Sequence, residues 1–144
     1  MSATPRAVYF FEKTVGWVDD KKMMRCQTAW VTIAATDFDR LLEFYHQFLQ
    51  QDPQLLLPNA YAEFRLPGLK LGIFKPKTSH QPEFQAPEHS AMSLCLEVEN
   101  LDTAIAHLAA IAAPPLGEII VATHGREIYA YDPEGNRLIL HQTI

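Results

Sequence analysis

The chain has 144 residues, 48% of them hydrophobic and 20% charged, with 12 basic against 17 acidic residues and a formal net charge of −5. That size and apolar share suit one domain with a real core, and the acidic balance speaks against nucleic-acid binding, which needs a basic face. Two cysteines, Cys26 and Cys95, are too few for a disulfide framework, and no apolar run reaches the roughly 18 residues of a bilayer span, so a cytoplasmic protein without a membrane partner is expected.

Residues 1–24 read as an N-terminal extension. Stretches 7–11 and 15–18 have the pattern of short strands, and Asp19-Asp20-Lys21-Lys22 is a solvated charge cluster. The segment either lies upstream of a real start at Met23 or Met24, or is an arm that docks on a partner subunit. From residue 28 the order is clearer. Val31, Ile33 and Ala35 form a period-2 apolar face, Asp37 can cap a helix, and Phe38, Leu41, Leu42, Tyr45, Phe48 and Leu49 make one helical stripe. Strands are expected over 54–57, 61–66 and 69–75, broken by the turn pairs Pro58-Asn59 and Pro67-Gly68. Residues 76–91 carry Pro76, Pro82 and Pro87 and no hydrophobic period; they read as an extended linker and not as a third element.

The pattern then recurs. Residues 93–108 (SLCLEVENLDTAIAHL) align without a gap on residues 30–45 (WVTIAATDFDRLLEFY) at the 63-residue offset from Trp30 to Ser93. Leu94, Leu96 and Val98 repeat the strand face, Asn100 repeats the cap, and Leu101, Ala104, Ile105, Leu108, Ile111 and Ala112 repeat the stripe. Strands at 117–124, 126–131 and 137–142 follow, the last two joined by the turn Asp132-Pro133-Glu134-Gly135-Asn136. The expected fold is α+β: two βαβββ units, residues 28–75 and 92–142, within one domain over 28–142.

The stretches VTIAATDFDRLLEFYHQFL (residues 31–49) and YAYDPEGNRLIL (residues 129–140), within this repeat, resemble the vicinal oxygen chelate superfamily of glyoxalase I, extradiol dioxygenases and bleomycin-resistance proteins. The resemblance implies that the units curl into an open, mixed-sheet barrel around a cavity. It also implies a divalent metal held by side chains from the first and fourth strands of each unit. Here those positions hold Trp30, Gly72, Ser93 and Ile139. Tryptophan has only an N–H donor, glycine and isoleucine have no ligand atom, and a neutral serine hydroxyl is weak. No cofactor is therefore expected, and no metal at the family site.

Strand alternation turns these four and further side chains toward the concavity: Trp30, Thr32, Tyr61, Glu63, Arg65, Gly72, Phe74, Ser93, Cys95, Tyr129, Ile139 and His141 are the candidate ligand-binding residues. Lys70, Glu97, Glu127, Tyr131 and Arg137 point the same way. Gly72 opposite Trp30 is expected to leave room beside the indole for a planar or cationic group; the same residues can instead fill the barrel as core. Of the six histidines His141 alone falls on this face, and with Glu97 it is the candidate acid–base pair or displaced metal site. His124 is placed near a strand end, His46 and His107 on polar parts of the helices. The leading expectation is a homodimer, metal-free at the family site, that binds a small organic molecule. The alternatives are a lyase, isomerase or dioxygenase with a relocated metal or acid–base site, and a structural or regulatory dimer with a filled barrel.

Overall fold

In a computed structural model that describes residues 24–144, the two units build separate four-stranded sheets of identical connectivity. The first contains β1 (Val31–Ala34), α1 (Phe38–Leu49), β2 (Leu55–Leu57), β3 (Tyr61–Leu66) and β4 (Leu69–Phe74), with strand order β1-β4-β3-β2. The second contains β5 (Leu94–Glu97), α2 (Leu101–Ala110), β6 (Ile120–Ala122), β7 (Gly125–Tyr131) and β8 (Arg137–Thr143), ordered β5-β8-β7-β6. The first strand of each unit runs parallel to the last, and the other pairs are antiparallel hairpins. The expected architecture of two βαβββ units in an open arrangement is thus present. The candidate strands at 7–11 and 15–18 lie outside the described residues.

Pairing register carries the repeat further than the helices do. Val31 stands opposite Leu71, and Leu94 opposite Leu138, so the offset of 63 on the first strands and 67 on the last superposes one sheet on the other. Alternation then sorts the side chains. Ala62, Phe64, Leu71, Ile73, Ile128, Ala130, Leu138 and Leu140 are buried in one core with Phe38, Leu41, Tyr45, Leu101 and Leu108 from the helices. The candidate ligand-binding residues occupy the opposite face.

Both helices start as expected. Asp37 Oδ1 accepts from the Arg40 N–H at 3.2 Å, and Asn100 Oδ1 from the Thr103 N–H at 2.9 Å. The stripes differ in reach. Helix α2 stops at Ala110, and Ala112 takes φ +64, so Ile111 and Ala112 lie beyond the helix and only Leu101 and Leu108 are fully buried. The linker also departs from expectation: 3₁₀ turns form over Thr78–Phe84 and Pro87–His89. Proline fixes φ near −65°, which a 3₁₀ turn accepts, so Pro82 and Pro87 mark these turns and do not exclude them.

The closing turn ties the units together. Asp132 is 4% exposed, and its carboxylate accepts from the Tyr45 hydroxyl (2.7 Å), the Glu134 and Asn136 backbone N–H groups (both 2.9 Å) and Asn136 Nδ2 (2.8 Å). Burial first, then the charge and hydrogen bond of Asp132, push the Tyr45 phenol well above its usual pKa. Glu134 reaches back to accept from the N–H groups of Thr36 and Asp37 at 3.0 and 2.9 Å, in front of α1. His107, expected on a polar face, instead stacks on Phe48 and bonds the Gln47 carbonyl at 2.9 Å, so α2 satisfies the C-terminal end of α1.

Candidate functional site

A cavity of about 480 Å³ opens where β1 and β5 approach the linker. Its walls include Thr32 and Ala34 from β1, Ser93 just before β5, Cys95 from β5, Leu71 and Leu138, and Phe84, Gln85 and Pro87 from the linker. Most of this surface is apolar, with Arg137, Asn136, Ser90 and Glu83 as polar groups. Of the residues expected to bind ligand, Thr32, Ser93 and Cys95 line the cavity. Trp30, Tyr61, Glu63, Arg65, Gly72, Phe74, Tyr129, Ile139 and His141 do not. The linker's contribution had no sequence signal, because a segment without hydrophobic period does not show what it packs against; here Phe84 meets Phe74 edge to face at 5.3 Å between ring centroids.

The family metal positions do not fit an ion. Trp30, Gly72 and Ile139 supply no ligand atom, and Ser93 is already engaged: Arg137 Nε donates to its Oγ at 2.7 Å, while Arg137 Nη2 donates to the Ser90 carbonyl at 2.9 Å. The Ser93 hydroxyl oxygen thus accepts from a guanidinium that stays charged at any working pH.

Around Trp30 the expected open space is filled. A Cβ built on Gly72 would lie 2.7 Å from the Tyr61 hydroxyl, so the tyrosine ring takes the room that glycine leaves. Tyr61 donates to Glu63 at 2.8 Å, and Lys70, 3.7 Å from Glu63, sits 5.0 Å over the indole ring. Desolvation, then the Glu63 contact, raises the Tyr61 pKa. The stacking face of Trp30 thus has an internal cation as its partner.

The second sheet carries a different constellation. Glu97, His141 and Glu127 stand side by side across β5, β8 and β7. His141 Nδ1 lies 2.6 Å from Glu97 Oε1, and the Thr143 N–H donates to Glu97 Oε2 at 2.7 Å. The hydrogen bond from His141, then those from Thr143, hold the Glu97 carboxyl at a pKa of about 2. His124, from the turn before β7, places Nδ1 2.9 Å from His141 Nε2. Glu97 and His141 are therefore in contact as a pair, but neither lines the cavity.

The model for the glyoxalase/bleomycin resistance protein/dioxygenase superfamily matches residues 27–140. The chain belongs to this superfamily. Solved members of similar fold include a glyoxalase/bleomycin resistance protein from Catenulispora acidiphila (21% identity, 83% of this chain and 100% of that one, TM-score 0.61). A glyoxalase-related enzyme from Fulvimarina pelagi is similar over 82% of this chain and 89% of its own, at 18% identity and TM-score 0.66. The fosfomycin resistance protein FosX from Listeria monocytogenes is similar over 84% and 96%, at 15% identity and TM-score 0.65. By sequence, no curated protein matches the chain. Identities this low carry the superfamily's fold and leave the site to be read from its own residues. Among the described residues no helix is long and apolar enough to cross a membrane.

Proposed function

We propose that this superfamily member binds a small organic molecule in the cavity between β1, β5 and the linker, without a metal at the family positions. The observation that carries the reading is the Arg137 side chain, braced on Ser93 and Ser90 at the edge of a mostly apolar space of drug-like size. That pairing suits a ligand with an apolar body and an acidic or acceptor group facing the guanidinium. A related FosX variant holds manganese(II) and a dihydroxypropylphosphonic acid, so the fold accommodates a small organic anion. An acid–base enzyme built on Glu97 and His141 is less well supported, because the pair lies outside the cavity.

A thermal-shift screen of aryl and alkyl carboxylates tests the reading. Hits should stabilise the wild type, lose their effect in Cys95→Trp, which fills the cavity, and lose their preference for acids in Arg137→Met. Shifts that survive both substitutions would overturn it.

Homodimerisation belongs to the same proposal. Strands β2 and β6 end their sheets with exposed Leu55, Leu56, Leu57, Ile120 and Val121, a combination of unpaired edge and apolar surface that a second copy would cover. Light scattering coupled to size exclusion should give twice the chain mass for the wild type, with more monomer in Leu56→Lys. A monomeric wild type would refute the pairing.

A further inference from the structure

We propose that His124, Glu127 and His141 bind one divalent transition-metal ion of the zinc class, on the face of the second sheet opposite the core. The site is separate from the cavity and from the family metal positions. One ligand atom from each residue falls in a group whose members all lie within 4.8 Å of one another. Ligand nitrogens about 2.0–2.1 Å from a metal lie about 2.9 Å apart at a right angle and about 3.4 Å apart at the tetrahedral angle. The His124 and His141 nitrogens already stand at 2.9 Å.

The rings meet edge to edge, since their centroids are 5.0 Å apart with a 28° tilt while the nitrogens nearly touch. When the exposed His124 ring turns out of its hydrogen bond to His141 and carries its proton on Nε2, both facing nitrogens offer lone pairs to an ion that the Glu127 carboxylate also reaches. The donor set of two imidazoles and one carboxylate favours zinc, cobalt or nickel over magnesium or calcium and leaves positions open for water.

A second observation independently points to a metal. A carboxylate can only accept, so the 2.6 Å contact with Glu97 makes His141 Nδ1 the donor. In neutral His141 the lone pair is then on Nε2, the atom that faces His124. Glu97 is itself fixed by the Thr143 N–H, so the ring is both oriented and set in the tautomer that binds metal. Glu97 is thus a positioning residue and not a ligand. Gly125 completes the arrangement: a Cβ there would collide with the Gln142 carbonyl oxygen and lie 2.9 Å from His141 Nε2, so only glycine lets the turn bring His124 so close.

Cobalt(II) titration of the tag-free full chain, read by its d–d absorption, tests the site. One equivalent should bind, competed by zinc(II). His124→Ala and His141→Ala should each weaken binding at least tenfold, and Glu97→Gln by about tenfold to a hundredfold. His46→Ala should change nothing, although that histidine also lies near carboxylates, 3.0 Å from Asp52 and 3.7 Å from Glu43. Circular dichroism checks that each variant folds; if His141→Ala does not, the imidazole NMR signals of wild-type His124 and His141 must both shift with zinc. Absence of stoichiometric uptake overturns the proposal, as does uptake undiminished in His124→Ala or unaccompanied by those shifts.

Discussion

Asp132→Ala should destabilise the protein by about 3–5 kcal/mol in urea unfolding, because the carboxylate is buried and accepts from two side chains and two backbone N–H groups. Its removal strands the Tyr45 hydroxyl in the core and releases the turn that presents Glu134 to the start of α1. A double-mutant cycle sharpens the expectation. In the wild type Tyr45→Phe should cost about 1–2 kcal/mol, since one donor to a buried charge is lost. In the Asp132→Ala background the same change should be neutral or stabilising, because it deletes a buried hydroxyl that no longer has its acceptor. Equal costs in both backgrounds would show that the contact does not carry the stability assigned to it. The two stretches that mark the superfamily in this chain, the aromatic helix and the closing turn, therefore meet in one hydrogen bond.

Gly125→Ala should cost about 2–4 kcal/mol, the sum expected for backbone strain and local overpacking. The residue has φ +151, where a side chain is disfavoured, and an added Cβ would press on the Gln142 carbonyl of the adjacent strand. Relief would require the β7–β8 pair to separate where Gly125 stands opposite Thr143 and His124 contacts His141. Gly117→Ala is the matched control: nothing lies within 4 Å of its Cβ and φ is not positive, so a change within about 0.5 kcal/mol is expected. Similar melting temperatures for the two variants would contradict the account of Gly125.

The contrast between these glycines shows how far the sequence can be read. Gly135 was legible as a turn residue because Asp132-Pro133-Glu134-Gly135-Asn136 is local chemistry, and it takes φ +96 there. Gly125 had no such neighbours; its constraint comes from a carbonyl on another strand, remote in sequence. Gly72 invited the opposite error. Its missing side chain suggested free space, but space left by one residue is available to any neighbour, and Tyr61 from the adjoining strand takes it. His124 is hidden from the sequence for a similar reason: a histidine at a strand end has no periodic signature, and only strand register brings it to His141.

The sequence by itself determined the two βαβββ units, their helix caps and the faces of their strands. These follow from periodicity, turn chemistry and side-chain inventory, which are local or repeat at a constant offset. Only the tertiary structure decided where the cavity opens, that Arg137 braces Ser93, and that Glu97, His141, His124 and Glu127 stand together. Those arrangements depend on strand pairing and on how the linker packs, so the interacting side chains are distant in sequence and no local pattern encodes their distances.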